Sequence, residues 1–188
     1  MIEITYPIVI ILISSIWILQ RIILTIKNKK INIKRELQLL WVYVCIIAIV
    51  RITFFPFLRV DGRVQPLILD LTNMFPPRVN WIPIVSLLDY PQSGEIIVNV
   101  MGNVAMFIPL GIIYPIVYKE LNTHKRVIGA GIGFSLCIEI LQLPFYDRVT
   151  DIDDLILNSL GFVIGYVVYR YISARGRFVF CKERGEKS

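Results

Sequence analysis

The sequence predicts an all-α, polytopic membrane protein with about five transmembrane helices, its N-terminus outside the cell and its C-terminus in the cytoplasm. Two features of composition point to the membrane. Of the 188 residues 56% are hydrophobic, and only 18% are charged, against about a quarter in soluble domains. The mean hydropathy of +0.67 agrees. The third observation is that basic and mixed-charge segments alternate between the apolar runs, which gives the orientation.

Two apolar runs open the chain. The first, Tyr6 to Ile26, is long enough to cross a bilayer as a helix and lacks the cleavage site of a signal peptide. The second runs from Leu37 to Phe57 and carries Arg51, which either reaches the lipid headgroups or pairs with an acid on a neighbouring helix. The basic residues between the two runs belong in the cytoplasm and place the N-terminus outside: Lys27, Lys29, Lys30, Lys34 and Arg35.

A proline-rich segment of mixed charge, Leu58 to Glu95, is predicted to form a loop outside the membrane. Within it, Asn80 to Val85 is too short to span a bilayer. Since Trp81 is typical of a membrane interface, we expect this stretch to lie against the membrane or to cap the helices.

A third helix is predicted from Ile96 to Tyr118. Asn99 and Asn103 are four residues apart and therefore share one face, where they can either join helices or orient a substrate. Pro109 and Gly111 interrupt the pattern and predict a kink or a break.

Two further helices follow a basic, cytoplasmic connection: Val127 to Leu143 and Ile152 to Ile172. Small residues favour close packing of both helices: Gly129, Gly131 and Gly133 on the fourth, Gly161 and Gly165 on the fifth. The chain is thus expected to comprise a first helix with its basic loop (1–36), a helical membrane domain (37–173) and a basic cytoplasmic tail (174–188).

Polar residues from four predicted helices converge at the outer side of the membrane. Glu139 and Gln142 end the fourth helix, and Asp151, Asp154 and Asn158 occupy the first two turns of the fifth. Three more polar residues lie at the same depth: Arg51, Asn99 and Asn103. Because ionisable groups are costly to bury in a membrane, this convergence predicts an outward-facing polar pocket.

Helix capping is the competing interpretation. Asp151 and Asp154 precede and open a helix, where carboxylates bind free N–H groups, and Arg148 can pair with one of them. Glu139 lies at the C-terminal end of its helix, where the helix dipole disfavours an acid. Glu139 is therefore the strongest candidate for a functional residue.

At these positions the chain resembles the VanZ family of bacterial membrane proteins. Three blocks carry the resemblance: Asn80-Trp81-Ile82-Pro83; Gly102-Asn103 with Phe107-Ile108-Pro109-Leu110-Gly111; and Glu139, Gln142, Arg148, Asp151, Asp154, Asn158, Gly161 and Gly165. The resemblance covers about Arg51 to Tyr169. It implies a multi-pass protein of the bacterial plasma membrane, associated with resistance to glycopeptides that bear a lipid tail, especially teicoplanin. It implies no particular reaction.

The polar cluster and the resemblance are consistent with three alternative functions. The first is a cell-envelope protein that lowers susceptibility to lipoglycopeptides through a polar pocket that holds a lipid headgroup, a cell-wall precursor or the drug. The second is an enzyme acting on a lipid-linked or phosphate-bearing substrate at the outer leaflet. In that case Glu139 is the general acid or base, Asp151 and Asp154 hold a divalent cation, and Asn103 and Arg148 orient a phosphate. The third is a bundle in which the polar cluster only fixes helix packing.

The candidate site has two groups of residues. The candidate catalytic residues are Glu139, Asp151 and Asp154, and the candidate substrate-binding residues are Arg51, Asn80, Asn99, Asn103, Gln142, Arg148 and Asn158. The sequence identifies no cofactor and suggests no Cys/His metal site. The expected partners are membrane lipids and a lipoglycopeptide or cell-wall precursor. The net charge of +6 is explained by cytoplasmic loops, so no nucleic-acid partner is expected.

Overall fold

The computed structural model confirms the predicted all-α class. It describes residues 2–28, 31–55, 59–60, 63–71, 78–83, 93–120 and 123–185. Within these residues it contains five helices: α1 (Tyr6–Asn28), α2 (Ile33–Phe54), α3 (Ser93–Val117), α4 (His124–Gln142) and α5 (Ile152–Gly185). One short strand precedes α1 and five lie between the helices: β1 (Ile2–Ile4), then β2 (Arg59–Val60), β3 (Arg63–Val64), β4 (Leu67–Leu69), β5 (Val79–Asn80) and β6 (Thr150–Asp151).

Four of the described helices are long and apolar enough to cross a membrane: Tyr6–Lys27, Ile33–Phe54, Ile96–Val117 and Ile152–Arg175. Helix α4 is not among them, because it begins with His124, Lys125 and Arg126 and carries Glu139 near its end. Only residues 127–138 separate its basic start from that carboxylate. The polar residues at its C-terminal end, Glu139 and Gln142, are buried, whereas Lys125 and Arg126 at its start are exposed.

Helix boundaries differ from the sequence expectations where side chains cap the backbone. Helix α2 begins before Leu37 because the side chain of Asn32 accepts a hydrogen bond from the backbone N–H of Arg35 at 3.2 Å. Helix α4 begins before Val127 because Thr123 Oγ1 accepts one from the N–H of Arg126 at 3.4 Å.

The interior of α3 and the ends of α2 and α5 also differ from the sequence expectations. Helix α3 continues through Pro109 and Pro115, so of the two predicted alternatives the break does not occur and the kink stays a prediction. Membrane helices tolerate proline because neighbouring groups satisfy the freed carbonyls. Helix α2 ends at Phe54, short of the predicted Phe57, and α5 continues beyond the predicted Ile172 to Gly185.

Strand pairing brings three parts of the chain to one end of the bundle. Strand β1 pairs with β4 in antiparallel register, β5 pairs with β6 in parallel register, and Leu69 forms a bridge with Phe145. The N-terminus, the loop between α2 and α3, and the turn between α4 and α5 therefore meet there, and successive helices alternate in direction. We call this the strand end of the bundle. Strands β2 and β3 pair with each other.

Glycines bring the backbones of α3 and α5 into contact. A Cβ atom built on Gly161 would overlap the carbonyl oxygen of Val104, and one built on Gly165 would overlap the carbonyl oxygen of Ile108. This confirms the predicted small-residue packing face on α5. On α4 only Gly131 is confined, by the ring of Phe162, whereas Gly129 and Gly133 have open space around the Cβ position. The buried core between these helices includes Ile49, Phe107, Leu110 and Phe162.

The glycine contacts predict a position-dependent effect of alanine. Gly161→Ala and Gly165→Ala should each lower the free energy of unfolding by about 1–3 kcal/mol, because the added methyl group forces two backbones apart. Gly133→Ala and Gly102→Ala are matched controls with open space at the Cβ position, and should be neutral or stabilising. Thermal unfolding of the purified proteins in one detergent measures the difference. Equal losses at all four positions would contradict the close contact.

Candidate functional site

Glu139 lies buried at the strand end, with 2% of its surface exposed. Its Oε2 accepts a hydrogen bond from the backbone N–H of Asp151 at 3.1 Å, and its backbone carbonyl accepts one from Thr150 Oγ1 at 2.9 Å. Both partners precede α5, so Glu139 ties the end of one helix to the start of the next. Its other carboxylate oxygen, Oε1, is buried and has no hydrogen-bond partner among the described residues.

Both carboxylate oxygens of Asp151 accept hydrogen bonds. Its Oδ1 accepts a hydrogen bond from the backbone N–H of Asp153 at 2.9 Å, which confirms the predicted capping of the fifth helix. Its Oδ2 lies 3.5 Å from the amide nitrogen of Asn80, which donates to it. The pairing of β5 with β6 places Asn80 opposite Asp151. Asn80 therefore joins the site through the loop, while the neighbouring Trp81 is exposed.

Asp154 and the two asparagines of α3 form a second hydrogen-bonded group. The amide nitrogen of Asn103 donates to Asp154 Oδ1 at 2.6 Å and to Asn99 Oδ1 at 3.1 Å. The hydrogen bonds show that these three side chains, which the sequence analysis placed at one depth, lie in contact. Asp154 therefore contacts a neighbouring helix, whereas Asp151 caps its own.

The remaining donors converge on the C-terminal end of α2. The amide nitrogen of Gln142 donates to the carbonyl of Thr53 at 3.0 Å. Arg148 donates to the carbonyl of Phe54 through Nε at 3.1 Å and Nη2 at 2.6 Å, and Arg51 Nη1 donates to the carbonyl of Phe55 at 2.9 Å. These carbonyls have no partner within the helix, so the three side chains complete the helix end. The positive charges also match the negative end of the helix dipole.

The predicted ion pair of Arg148 with a capping carboxylate is not found among the described residues. Within the described part of the chain, the hydrogen bonds of Arg148 go to a carbonyl oxygen rather than to Asp151 or Asp154. Burial lowers the pKa of the Arg148 guanidinium, an effect that the charges of Asp147 and Asp154 oppose. Arg51 lies over the ring of Tyr6, with its Cζ atom 5.4 Å from the ring centre.

Unpartnered polar atoms continue from Glu139 into the bundle. Asn158 is 1% exposed, and neither its amide nitrogen nor its amide oxygen has a partner among the described residues. The same holds for the hydroxyl groups of Ser135 and Ser159 and for Oε1 of Gln142. Leaving one such group unsatisfied costs about 1–3 kcal/mol. A role in helix packing alone does not explain why these polar residues are present, because apolar residues of the same shape would fill the same space without this cost.

Ser135 is a buried polar residue that the sequence interpretation missed. It lies four residues before Glu139 and so on the same helix face, a spacing that would have identified it. Thr53 and Thr150 contribute contacts that no sequence spacing indicates, since one depends on packing between distant helices and the other on the conformation of the turn between α4 and α5.

The described residues form no evident metal centre. They contain no cluster of three or more His, Cys, Asp or Glu side chains that could hold a metal ion. A cleft of about 440 Å³ at the strand end is lined by Glu3, Gln65, Asp147 and Arg148 together with residues 66–68. Of the predicted site residues within the described chain, Arg148 alone lines this cleft, so the pocket around Glu139 stays a prediction.

Comparison with known proteins supports a single family. The chain is 27% identical over 107 residues to Protein VanZ of Enterococcus faecium, a match that covers 57% of this chain and 62% of the relative. The chain therefore matches less than two thirds of the length of that relative. No solved structure matches it. The sequence model of the VanZ/LLP1 family matches residues 40–173, which include every predicted site residue, and the chain therefore belongs to the VanZ/LLP1 family.

Proposed function

We propose that this protein lowers the susceptibility of a bacterial cell to lipoglycopeptides such as teicoplanin by binding a polar ligand at the strand end of the bundle. One observation carries the proposal: Oε1 of Glu139 is buried and has no partner among the described residues, next to further unpartnered groups. Membership of the VanZ/LLP1 family supports a role in the cell envelope.

The unpartnered atoms define the chemistry of the ligand. Oε1 of Glu139 and Oε1 of Gln142 accept hydrogen bonds, and the amide of Asn158 both donates and accepts. A matching ligand must present O–H or N–H groups to the two acceptors. Sugar hydroxyls and peptide amides do so, and both occur in cell-wall precursors and in glycopeptides.

The distribution of charge supports an outward-facing site. The strand end carries Glu139, Asp151 and Asp154, whereas Lys34 and Lys119 lie at the opposite end of the bundle. Basic residues favour the cytoplasmic side, so we propose that the strand end faces outward. A ligand in the outer leaflet or the cell wall then reaches Glu139 without crossing the membrane.

Glu139→Gln is expected to abolish protection without unfolding the protein. The amide oxygen of glutamine can still accept the N–H of Asp151, but the negative charge is lost. Hydrogen bonds to a charged group contribute about 1.5–3 kcal/mol, so ligand affinity should fall about tenfold or more. The measurement is teicoplanin susceptibility of cells carrying the variant, with protein abundance in the membrane determined in parallel.

Glu120→Gln is the matched control for this experiment. Glu120 is exposed after the end of α3, away from the strand end, so its neutralisation should leave protection unchanged. The proposed function would be wrong if removal of the whole gene changed neither teicoplanin nor vancomycin susceptibility.

Asn158→Leu separates binding from packing. Leucine removes two unpartnered polar atoms at nearly the same shape, so the free energy of unfolding should stay equal or rise by about 1–3 kcal/mol. Protection should nevertheless be lost, because the ligand loses a donor and an acceptor. Thermal unfolding and susceptibility are measured on the same variant. A stable Asn158→Leu protein that still protects fully would exclude Asn158 from the site.

A second candidate function, catalysis on a lipid-linked substrate, is favoured by Oε1 of Glu139, which has no partner in the described part of the chain. Asp151 and Asp154 interact electrostatically with this carboxylate, an arrangement in which Glu139 can exchange a proton with a substrate. Catalysis predicts that at least one envelope lipid species differs between cells with the wild-type protein and cells with Glu139→Gln. Mass spectrometry of total lipid extracts tests this. Identical lipid profiles combined with lost protection would favour binding over catalysis.

A further inference from the structure

A basic cleft lies at the end of the bundle opposite to the strand end. It has a volume of about 360 Å³ and opens between the start of α2 and the end of α3. Its lining includes three cationic residues, Lys34, Arg35 and Lys119, together with Gln38, Ile116 and Val117. The volume lies within the range of about 300–1,000 Å³ that is usual for small-molecule sites. We call this cavity the basic cleft.

The positive charge of the basic cleft is not neutralised by the nearest acid on α2. Glu36 in the first turn of that helix accepts hydrogen bonds from Arg21 Nε, at 2.9 Å, and from Arg21 Nη2, so its charge is paired with α1. Within the described part of the chain, the side chains of Lys34, Arg35 and Lys119 make no hydrogen bond or ion pair. All three are exposed. The three cationic side chains therefore make the basic cleft suitable for binding an anion.

The surface beside the basic cleft is apolar and faces away from the bundle. Leu37 and Trp41, on the first two turns of α2, are 55% and 63% exposed. The inner part of the cleft is apolar as well, since Val117 is 3% exposed. A free phosphate ion would use only the cations, whereas a phospholipid would use the cations for its headgroup and the surface of α2 for an acyl chain.

We propose that the basic cleft binds the headgroup of an anionic phospholipid in the leaflet at this end of the bundle. Lys34, Arg35 and Lys119 contact the phosphate oxygens, and the acyl chain lies along Leu37 and Trp41. Basic pockets between membrane helices are suited to such headgroups. The site is distant from Glu139 and does not depend on the function proposed for the strand end.

The test compares two triple variants of equal charge. The cleft variant carries Lys34→Gln, Arg35→Gln and Lys119→Gln. The control variant carries Lys27→Gln, Lys125→Gln and Arg170→Gln, which remove the same number of lysines and arginines from exposed positions that do not line the cleft. Native mass spectrometry measures the binding of phosphatidylglycerol and of phosphatidylcholine to the purified full-length proteins.

The expected result is a preference of the wild-type protein for phosphatidylglycerol that the cleft variant loses. A charge near the membrane contributes about fivefold to the affinity for an anionic lipid, so the three substitutions together should weaken binding by about tenfold or more. The control variant should weaken it by less than about threefold. Addition of sodium phosphate should displace the lipid no more than sodium chloride of equal ionic strength does.

Three outcomes would overturn the proposal. Equal weakening in both variants would mean that net charge alone attracts the lipid. Specific displacement by inorganic phosphate would mean that the cleft binds the ion and not the lipid. The absence of any preference for phosphatidylglycerol in the wild-type protein would exclude the site directly, and this measurement needs no variant to fold.

Discussion

The contact between the backbones of α3 and α5 determines the geometry of the rest of the bundle. The two helices both begin at the strand end and run in the same direction, and Gly161 lies against Val104 without space for a side chain. Their first turns are therefore close enough for Asn103 to donate to Asp154 at 2.6 Å. Because α5 is fixed in depth by this contact, the N–H of Asp151 also lies where the carboxylate of Glu139 can accept it. A wider separation of the two helices would remove the Asn103–Asp154 bond and loosen the position of Asp151.

The carbonyl oxygens at the end of α2 explain why several polar residues gather at the strand end. Residues that donate to these carbonyls need no ligand to account for their position. A helix that ends inside a bundle leaves carbonyl oxygens unpaired, and in an apolar environment each needs a donor. Gln142 and Arg148 supply donors to Thr53 and Phe54 from parts of the chain about ninety residues away. Gln142 donates through its amide nitrogen in this way, while its amide oxygen has no partner among the described residues. Gln142 therefore helps to close the end of α2 and, in the proposed site, also keeps an acceptor for a ligand.

The sequence predicts the helices well, because a bilayer requires long apolar runs and these are visible without a structure. It also predicts the small-residue face of α5 and the common depth of Asn103 and Asp154. Three kinds of feature need the tertiary structure. Capping by Asn32 and Thr123 extends helices beyond their apolar runs. Strands of two or three residues, such as β5, carry no periodicity that can be recognised. The partner of a charged side chain depends on helix register, which explains why the sequence predicts a carboxylate partner for Arg148 although it binds a helix end.

The buried polar atoms that lack a partner among the described residues are distributed unevenly over the helices. The polar side chains that face α2 and α3 make hydrogen bonds, as Arg148 and Asn103 do. The buried atoms without a partner among the described residues all belong to α4 and α5: Ser135, Glu139, Gln142, Asn158 and Ser159. If the polar cluster served packing alone, unsatisfied groups would be avoided on every helix, because each costs about as much wherever it lies. Their restriction to two adjacent helices supports the proposal that α4 and α5 present polar groups to a ligand.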